Sequence, residues 1–247
     1  MIIAVSGKGG VGKSTISALI VRYLVEQKSK PVLAVDADPN NTLAEKLGVQ
    51  VNYTIGDLRE DALQNKYEAP AGTPKQRMIE CQVQEALTEG NGFDLLVMGR
   101  GEGPGCYCSV NNMLRTFLED VSAGYKHVMV DNEAGMEHIS RRTNAKVDLM
   151  LVVCDPTPTG MMTARRIADL ARELGIVQGK MGLVINRALN PVTAETAMEA
   201  TSLELLGCMP EDPRVREYEL NGKPLLDLPA DSPAYSALCA MLAANGF

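Results

Sequence analysis

Eight consecutive residues, Gly7-Lys8-Gly9-Gly10-Val11-Gly12-Lys13-Ser14, satisfy the pattern G-x-x-x-x-G-K-[ST]. A strand-like run over 2–6 precedes them and a helical pattern over 14–27 follows, the context a phosphate-binding loop requires. Glycines there let successive backbone N–H groups curl around phosphate oxygens, and the helix N-terminus adds positive potential. In such a loop Lys13 reaches the β- and γ-phosphates of a nucleotide, and the Ser14 hydroxyl is placed to ligate Mg2+. Gly9, Gly10, Val11, Gly12 and Thr15 complete the loop's nucleotide-binding set. A glycine-rich turn that merely packs closely is the competing reading, and the matched context outweighs it.

Two other groups of side chains invite chemistry. A predicted strand over 32–36 runs into Asp36-Ala37-Asp38-Pro39, and another over 128–131 runs into Asp131-Asn132-Glu133-Ala134-Gly135. Carboxylates at the carboxyl edge of parallel strands can orient an attacking water and hold magnesium or its waters. A single acid at a strand end is often only a helix cap, but three converging on one loop favour a site. The third group is Cys106-Tyr107-Cys108. Residues i and i+2 of an extended segment face the same side, so both thiols can meet one ion. Two thiolates leave a d-block metal under-coordinated, whereas a two-fold dimer supplies four. Such a set suits zinc, copper(I) or iron–sulfur, and in a planar arrangement nickel(II). Taken alone, a C-x-C is as easily two unrelated thiols.

These residues hang on an alternating pattern. Strands are predicted over 2–6, 32–36, 95–98, 128–131, 149–154, 183–186 and 205–208. Helices are predicted over 14–27, 112–121, 159–174, 194–202 and 232–243. The strand runs are mostly continuous rather than alternating, as strands buried on both faces should be. The expectation is an α/β fold with a mostly parallel central sheet of about seven strands flanked by helices, carrying its ligands at the carboxyl ends of the strands. Residues 50–92, with Pro70, Gly72 and Pro74, look like a long insertion, and no linker divides the chain, so one domain over 1–247 is expected.

Composition narrows the classes. In 247 residues, 45% are hydrophobic and 22% charged, which excludes disorder and allows a sizeable core. The net charge of −7 weighs against a general nucleic-acid binder. The apolar run over 149–154 is far shorter than a bilayer requires, and the N-terminus carries no basic leader, so no membrane partner and a cytoplasmic location are expected. There, Cys81, Cys154, Cys208 and Cys239 are not expected to form a disulfide framework.

An ordinary phosphate loop needs no second lysine at position 8. With it, the run from Lys8 to Thr15 resembles the deviant Walker A ATPases, the family of nitrogenase iron protein, MinD and ParA. The resemblance implies a three-layer P-loop NTPase in which Lys8 crosses a homodimer interface to the partner's nucleotide. Lys8, Lys13 and Asp38 are then the catalytic residues, with Asp38 positioning water in switch I and Asp36 supporting it. Asp131 matches the Walker B acid and Gly135 the switch II glycine, while Asn132 stands where the family usually has threonine. Asn186 matches the asparagine that reads the adenine edge, and Pro210-Glu211-Asp212 a loop packing on the base.

The segment Gly105-Cys106-Tyr107-Cys108, with Asn111 and the downstream string from Asp131 to His138, is similar to the CooC-type nickel-insertion ATPases. That likeness implies a dimer with Cys106 and Cys108 of both chains on one nickel ion (zinc also possible), serving carbon monoxide dehydrogenase or acetyl-CoA synthase. Glu133 and His138 are read as conformational or capping groups rather than ligands, and Arg141 and Arg142 as a solvated or interface face. Two other functions compete. A spatial-organisation ATPase of the MinD or ParA type is disfavoured because no basic residue follows Lys223 and the overall balance is acidic. A redox ATPase passing electrons from a cysteine-bound cluster would call for a different cysteine pattern, although four thiolates at a dimer seam could hold iron.

Overall fold

In the computed structural model, residues 1–38, 40–63, 84–99, 124–132, 147–190 and 192–247 are described. Cys81, Cys106, Cys108, Glu133, Gly135, His138, Arg141, Arg142 and the helix predicted over 112–121 lie outside them.

The strands are β1 (Ile2–Gly7), β2 (Val32–Asp36), β3 (Leu87–Glu89), β4 (Asp94–Val97), β5 (His127–Asp131), β6 (Val147–Cys154), β7 (Val177–Ala188) and β8 (Glu204–Pro210). They form one sheet in the order β3-β4-β2-β5-β1-β6-β7-β8. Every pairing is parallel except β3 with β4. The sheet therefore has eight strands where the sequence predicts about seven. The extra one, β3, is a three-residue edge strand in the segment read as an insertion. It is half-exposed and lacks the continuous apolar run that marks the central strands.

The helices are α1 (Lys13–Glu26), α2 (Thr42–Leu47), α3 (Ile55–Leu63), α4 (Pro158–Leu174), α5 (Ala194–Thr201), α6 (Pro213–Leu220) and α7 (Pro233–Ala244). Those predicted over 14–27, 159–174, 194–202 and 232–243 match α1, α4, α5 and α7 within about one residue. Successive residues of a strand point to opposite faces, and the sheet's apolar side chains divide accordingly into two cores. Ile3, Val5, Ala34, Met129, Leu151 and Val153 pack against α1, α2 and α7. Ala4, Val35, Val130, Val152, Leu183 and Ile185 pack against α3, α4 and α5. The result is three layers, helix on sheet on helix. Cys154 is buried in the second core and Cys208 packs at its margin, so both act there as small apolar side chains.

The register of the central strands decides what meets at the carboxyl edge. Asp36 of β2 lies opposite Asp131 of β5, and Val5 of β1 also lies opposite Asp131. Two acids and the glycine-rich loop after β1 thus converge on three adjacent strands.

Candidate functional site

The loop between β1 and α1 passes closely over neighbouring backbone. A Cβ on Gly7 would sit 2.3 Å from the Val153 carbonyl oxygen, so only glycine admits this turn out of the sheet. Gly12 caps α1 at φ 92°, and a Cβ there would meet Asn186 Nδ2 at 2.3 Å. Lys13 is only 7% exposed, and its ammonium donates to the Lys8 carbonyl across 3.4 Å. Gly9, Gly10 and the Lys8 side chain face solvent. The Ser14 hydroxyl accepts a 2.9 Å bond from Thr42 Oγ1 at the start of α2. The structure therefore brings Lys13 and Ser14 to the acidic edge and leaves Lys8 directed outward.

Asp36 and Asp131 are both fully buried. Asp36 accepts from the backbone N–H groups of Leu43 at 2.9 Å and Asp38 at 3.1 Å, which fastens the β2–α2 turn. Burial, reinforced by the neighbouring Asp131 charge, pushes Asp36 up to about 7. Burial also pushes Asp131 up to about 6, although Ser14 and Lys13 lie close enough to oppose the shift. The Ser14 and Ser17 hydroxyls lie near the carboxylate, but among the described residues neither Asp131 oxygen is met by a donor in hydrogen-bonding geometry. Half-buried Asp38 accepts from Asn40 N at 2.9 Å and Asn40 Nδ2 at 2.8 Å.

An orphaned carboxylate beside a serine hydroxyl is an oxygen donor set that fits a hard divalent cation. Among the described residues no three His, Cys, Asp or Glu side chains cluster to hold a metal by themselves. Magnesium is usually held by one or two carboxylates and completed by substrate phosphates.

The raised acids have a sign that can be tested. Between about pH 4 and 7 the cation-free fold keeps protons on Asp36 and Asp131 that the unfolded chain has released, so stability falls as pH rises across that window. A cation on Asp131 displaces protons. Magnesium–nucleotide binding is therefore expected to release about half a proton per chain from Asp131 near pH 6 and close to none near pH 8. Calorimetry in buffers of different ionisation enthalpy reads this directly, and equal heats in all buffers near pH 6 would refute it.

Beside the loop, at the ends of β7 and β8, lies a cavity of about 520 Å³ lined in part by Thr15, Asn186, Arg187, Pro210, Asp212 and Glu219. That is within the range of small-molecule sites. Asn186 donates Nδ2 to the Val11 carbonyl at 2.8 Å, and Arg187 Nη1 donates to the Gly10 carbonyl at 3.2 Å. Glu219 Oε1 accepts from Thr15 Oγ1 at 2.7 Å and from Lys46 Nζ at 2.5 Å. Burial pushes the Glu219 carboxyl up, but Lys46, Thr15 and the Arg187 charge together hold it below the usual range. Asp212 caps α6 through Arg214 N and takes the Ser232 hydroxyl at 2.5 Å, which fixes the wall of the cavity.

Thr42, Lys46, Arg187 and Glu219 were not singled out from sequence. Asp212-Pro213, an N-cap followed by proline at the first helical position, is the signal that could have placed α6 and hence Glu219. Nothing local marks Lys46 or Arg187, whose partners lie more than 170 residues away.

The profile described as the CobQ/CobB/MinD/ParA nucleotide binding domain matches residues 2–225. The chain is 43% identical to an uncharacterized ATP-binding protein of Methanocaldococcus jannaschii, covering 95% of this chain and 94% of that one. It is 33% identical to the carbon monoxide dehydrogenase accessory protein CooC of Rhodospirillum rubrum, covering 98% and 96%. Among solved structures, the septum site-determining protein MinD complexed with Mg-ADP from Pyrococcus horikoshii superposes with a TM-score of 0.71 at 22% identity, covering 99% and 95%.

Proposed function

The chain belongs to the CobQ/CobB/MinD/ParA nucleotide-binding family and is an ATPase, and from that premise we propose that it is an ATP-driven, dimeric metallochaperone assisting nickel insertion into carbon monoxide dehydrogenase. The observation that carries the nucleotide half is the meeting of Lys13, Ser14 and the orphaned Asp131 carboxylate on one strand edge. Lys13 and the loop amides bind the β- and γ-phosphates, and Asp131 with Ser14 would hold magnesium, whose charge would offset that of the phosphates. Asp38 orients the attacking water, and Asp36 holds the turn that carries Asp38. The neighbour bearing Mg-ADP has the same fold.

Asn186 and Pro210 frame the base. With Nδ2 given to Val11, Asn186 offers its Oδ1 to a ligand, and an acceptor suits the amino group of adenine better than the oxo group of guanine. Gly135 senses the γ-phosphate from switch II.

The metal half rests on Cys106 and Cys108 and on the likeness to CooC. In a dimer closed by ATP, both pairs supply four thiolates to one nickel or zinc ion, and hydrolysis opens the dimer and releases the metal to its client. Elemental analysis of the ATP-bound dimer is expected to give one metal per two chains, with affinity falling as pH drops below the cysteine range. The Cys106→Ser, Cys108→Ser double variant should lose tight metal yet still bind nucleotide. One metal per monomer, indifferent to dimerisation, would sink the shared site. Unchanged binding in the double variant would move it elsewhere.

A further inference from the structure

A loop that encloses an anion turns its N–H groups inward, and its carbonyls are left pointing out. Here two of those outward carbonyls are held by consecutive residues at the end of β7: Val11 by Asn186 at 2.8 Å and Gly10 by Arg187 at 3.2 Å. Neighbouring side chains on an extended strand point to opposite faces, so an ordinary backbone would aim only one of the two at the loop. The exception is made by Arg187 itself, which adopts φ 56°, in the left-handed region. Arginine has no local preference for that region, unlike asparagine, aspartate or glycine. Strained backbone of this kind concentrates at functional sites. The Glu219 carboxylate across the cavity supplies a countercharge to the guanidinium.

We propose that Arg187 is a positioning residue for the phosphate loop, clamping it together with Asn186 so that the amides between Gly10 and Lys13 stay turned toward the phosphates. The proposal rests on the reading of that loop as the phosphate site. It assigns Arg187 to the phosphate end of the ligand, although its side chain lines the cavity given to the base.

The test uses the full chain, with ATP and with inorganic tripolyphosphate, a probe that carries no base. Arg187→Gly relieves the left-handed strain but deletes the donor. It is expected to melt at or above the wild-type temperature without ligand, yet to bind both ATP and tripolyphosphate about tenfold more weakly, the scale of one lost charged hydrogen bond. Arg187→Ala, which keeps the strain, should show the same tenfold loss with a lower melting temperature. A merely structural role would lower the melting temperature of Arg187→Ala and leave tripolyphosphate affinity intact, which would overturn the clamp. Loss of ATP affinity with tripolyphosphate unaffected would also overturn it, assigning Arg187 to the base instead. Lys13→Ala separates the two levels. If that variant binds tripolyphosphate as wild type does, the phosphate-site reading fails and the clamp with it. If Lys13→Ala loses binding while Arg187→Gly does not, the clamp alone fails.

Discussion

ATP turnover by the Lys13→Ala variant is expected to fall by a factor of at least a hundred to a thousand, because the charge aimed at the developing phosphoryl oxygens is gone. The fold should survive. Among the described residues the Lys13 ammonium makes one long hydrogen bond, to the Lys8 carbonyl at 3.4 Å, besides its attraction to Asp131, and no packing core hangs on it. Asp38→Ala should reduce turnover on a similar scale by removing the group that orients water. Since Asp38 also holds Asn40 through two hydrogen bonds, Asp38→Asn is the cleaner variant: its amide oxygen can still accept them while the charge is lost. It is expected to bind ATP and fail to hydrolyse it. Equilibrium titration with ATP measures the binding and single-turnover phosphate release the hydrolysis, and wild-type hydrolysis by Asp38→Ala would remove Asp38 from the mechanism.

Lys8→Ala is expected to bind nucleotide yet lose ATP-dependent dimerisation and, with it, turnover by a factor of about a thousand or more, as when an arginine finger is withdrawn. The structure makes the variant informative, because the Lys8 side chain faces solvent while only its carbonyl touches Lys13. Mixing Lys8→Ala with Lys13→Ala chains, each inactive, tests the direction of contact. Each mixed dimer holds one complete site of two, so part of the wild-type activity, at most about half, should return. No recovery, or a nucleotide-binding defect in the Lys8→Ala monomer, would mean that Lys8 acts within its own chain.

The parts of this design that sequence reveals are those whose physics is local. Continuous apolar runs announce the central strands, and the spacing from Gly7 to Ser14 announces the loop, because each is a short stretch obeying one rule. The short elements escape for a matching reason. Six-residue α2 presents too few turns for a periodicity, and β3 is a half-exposed edge. Yet α3 carries a readable start: Thr54 Oγ1 accepts from Asp57 N while Asp57 Oδ2 accepts from Thr54 N, a capping box written in sequence as Thr-x-x-Asp. What no local rule reveals is pairing at a distance. The meeting of Asp36 with Asp131 needs the strand order, and the contacts of Arg187 and Glu219 need the whole right-hand half of the sheet to be in register.

Glu219 also joins two parts of the molecule that the strand order keeps apart. One carboxylate oxygen on α6 is shared by Thr15, the third residue of α1, and by Lys46 on α2, the helix whose Leu43 amide holds Asp36. The lone pairs of that oxygen take both donors at once, so moving the carboxylate disturbs both bonds together. A ligand that draws Glu219 into the cavity thereby shifts the energy of α2, and a displaced α2 must change affinity at the cavity by the same factor, since coupling between two binding equilibria is reciprocal. The cavity wall and the acid-bearing turn are in that sense one thermodynamic unit, joined through an atom rather than through a moving domain.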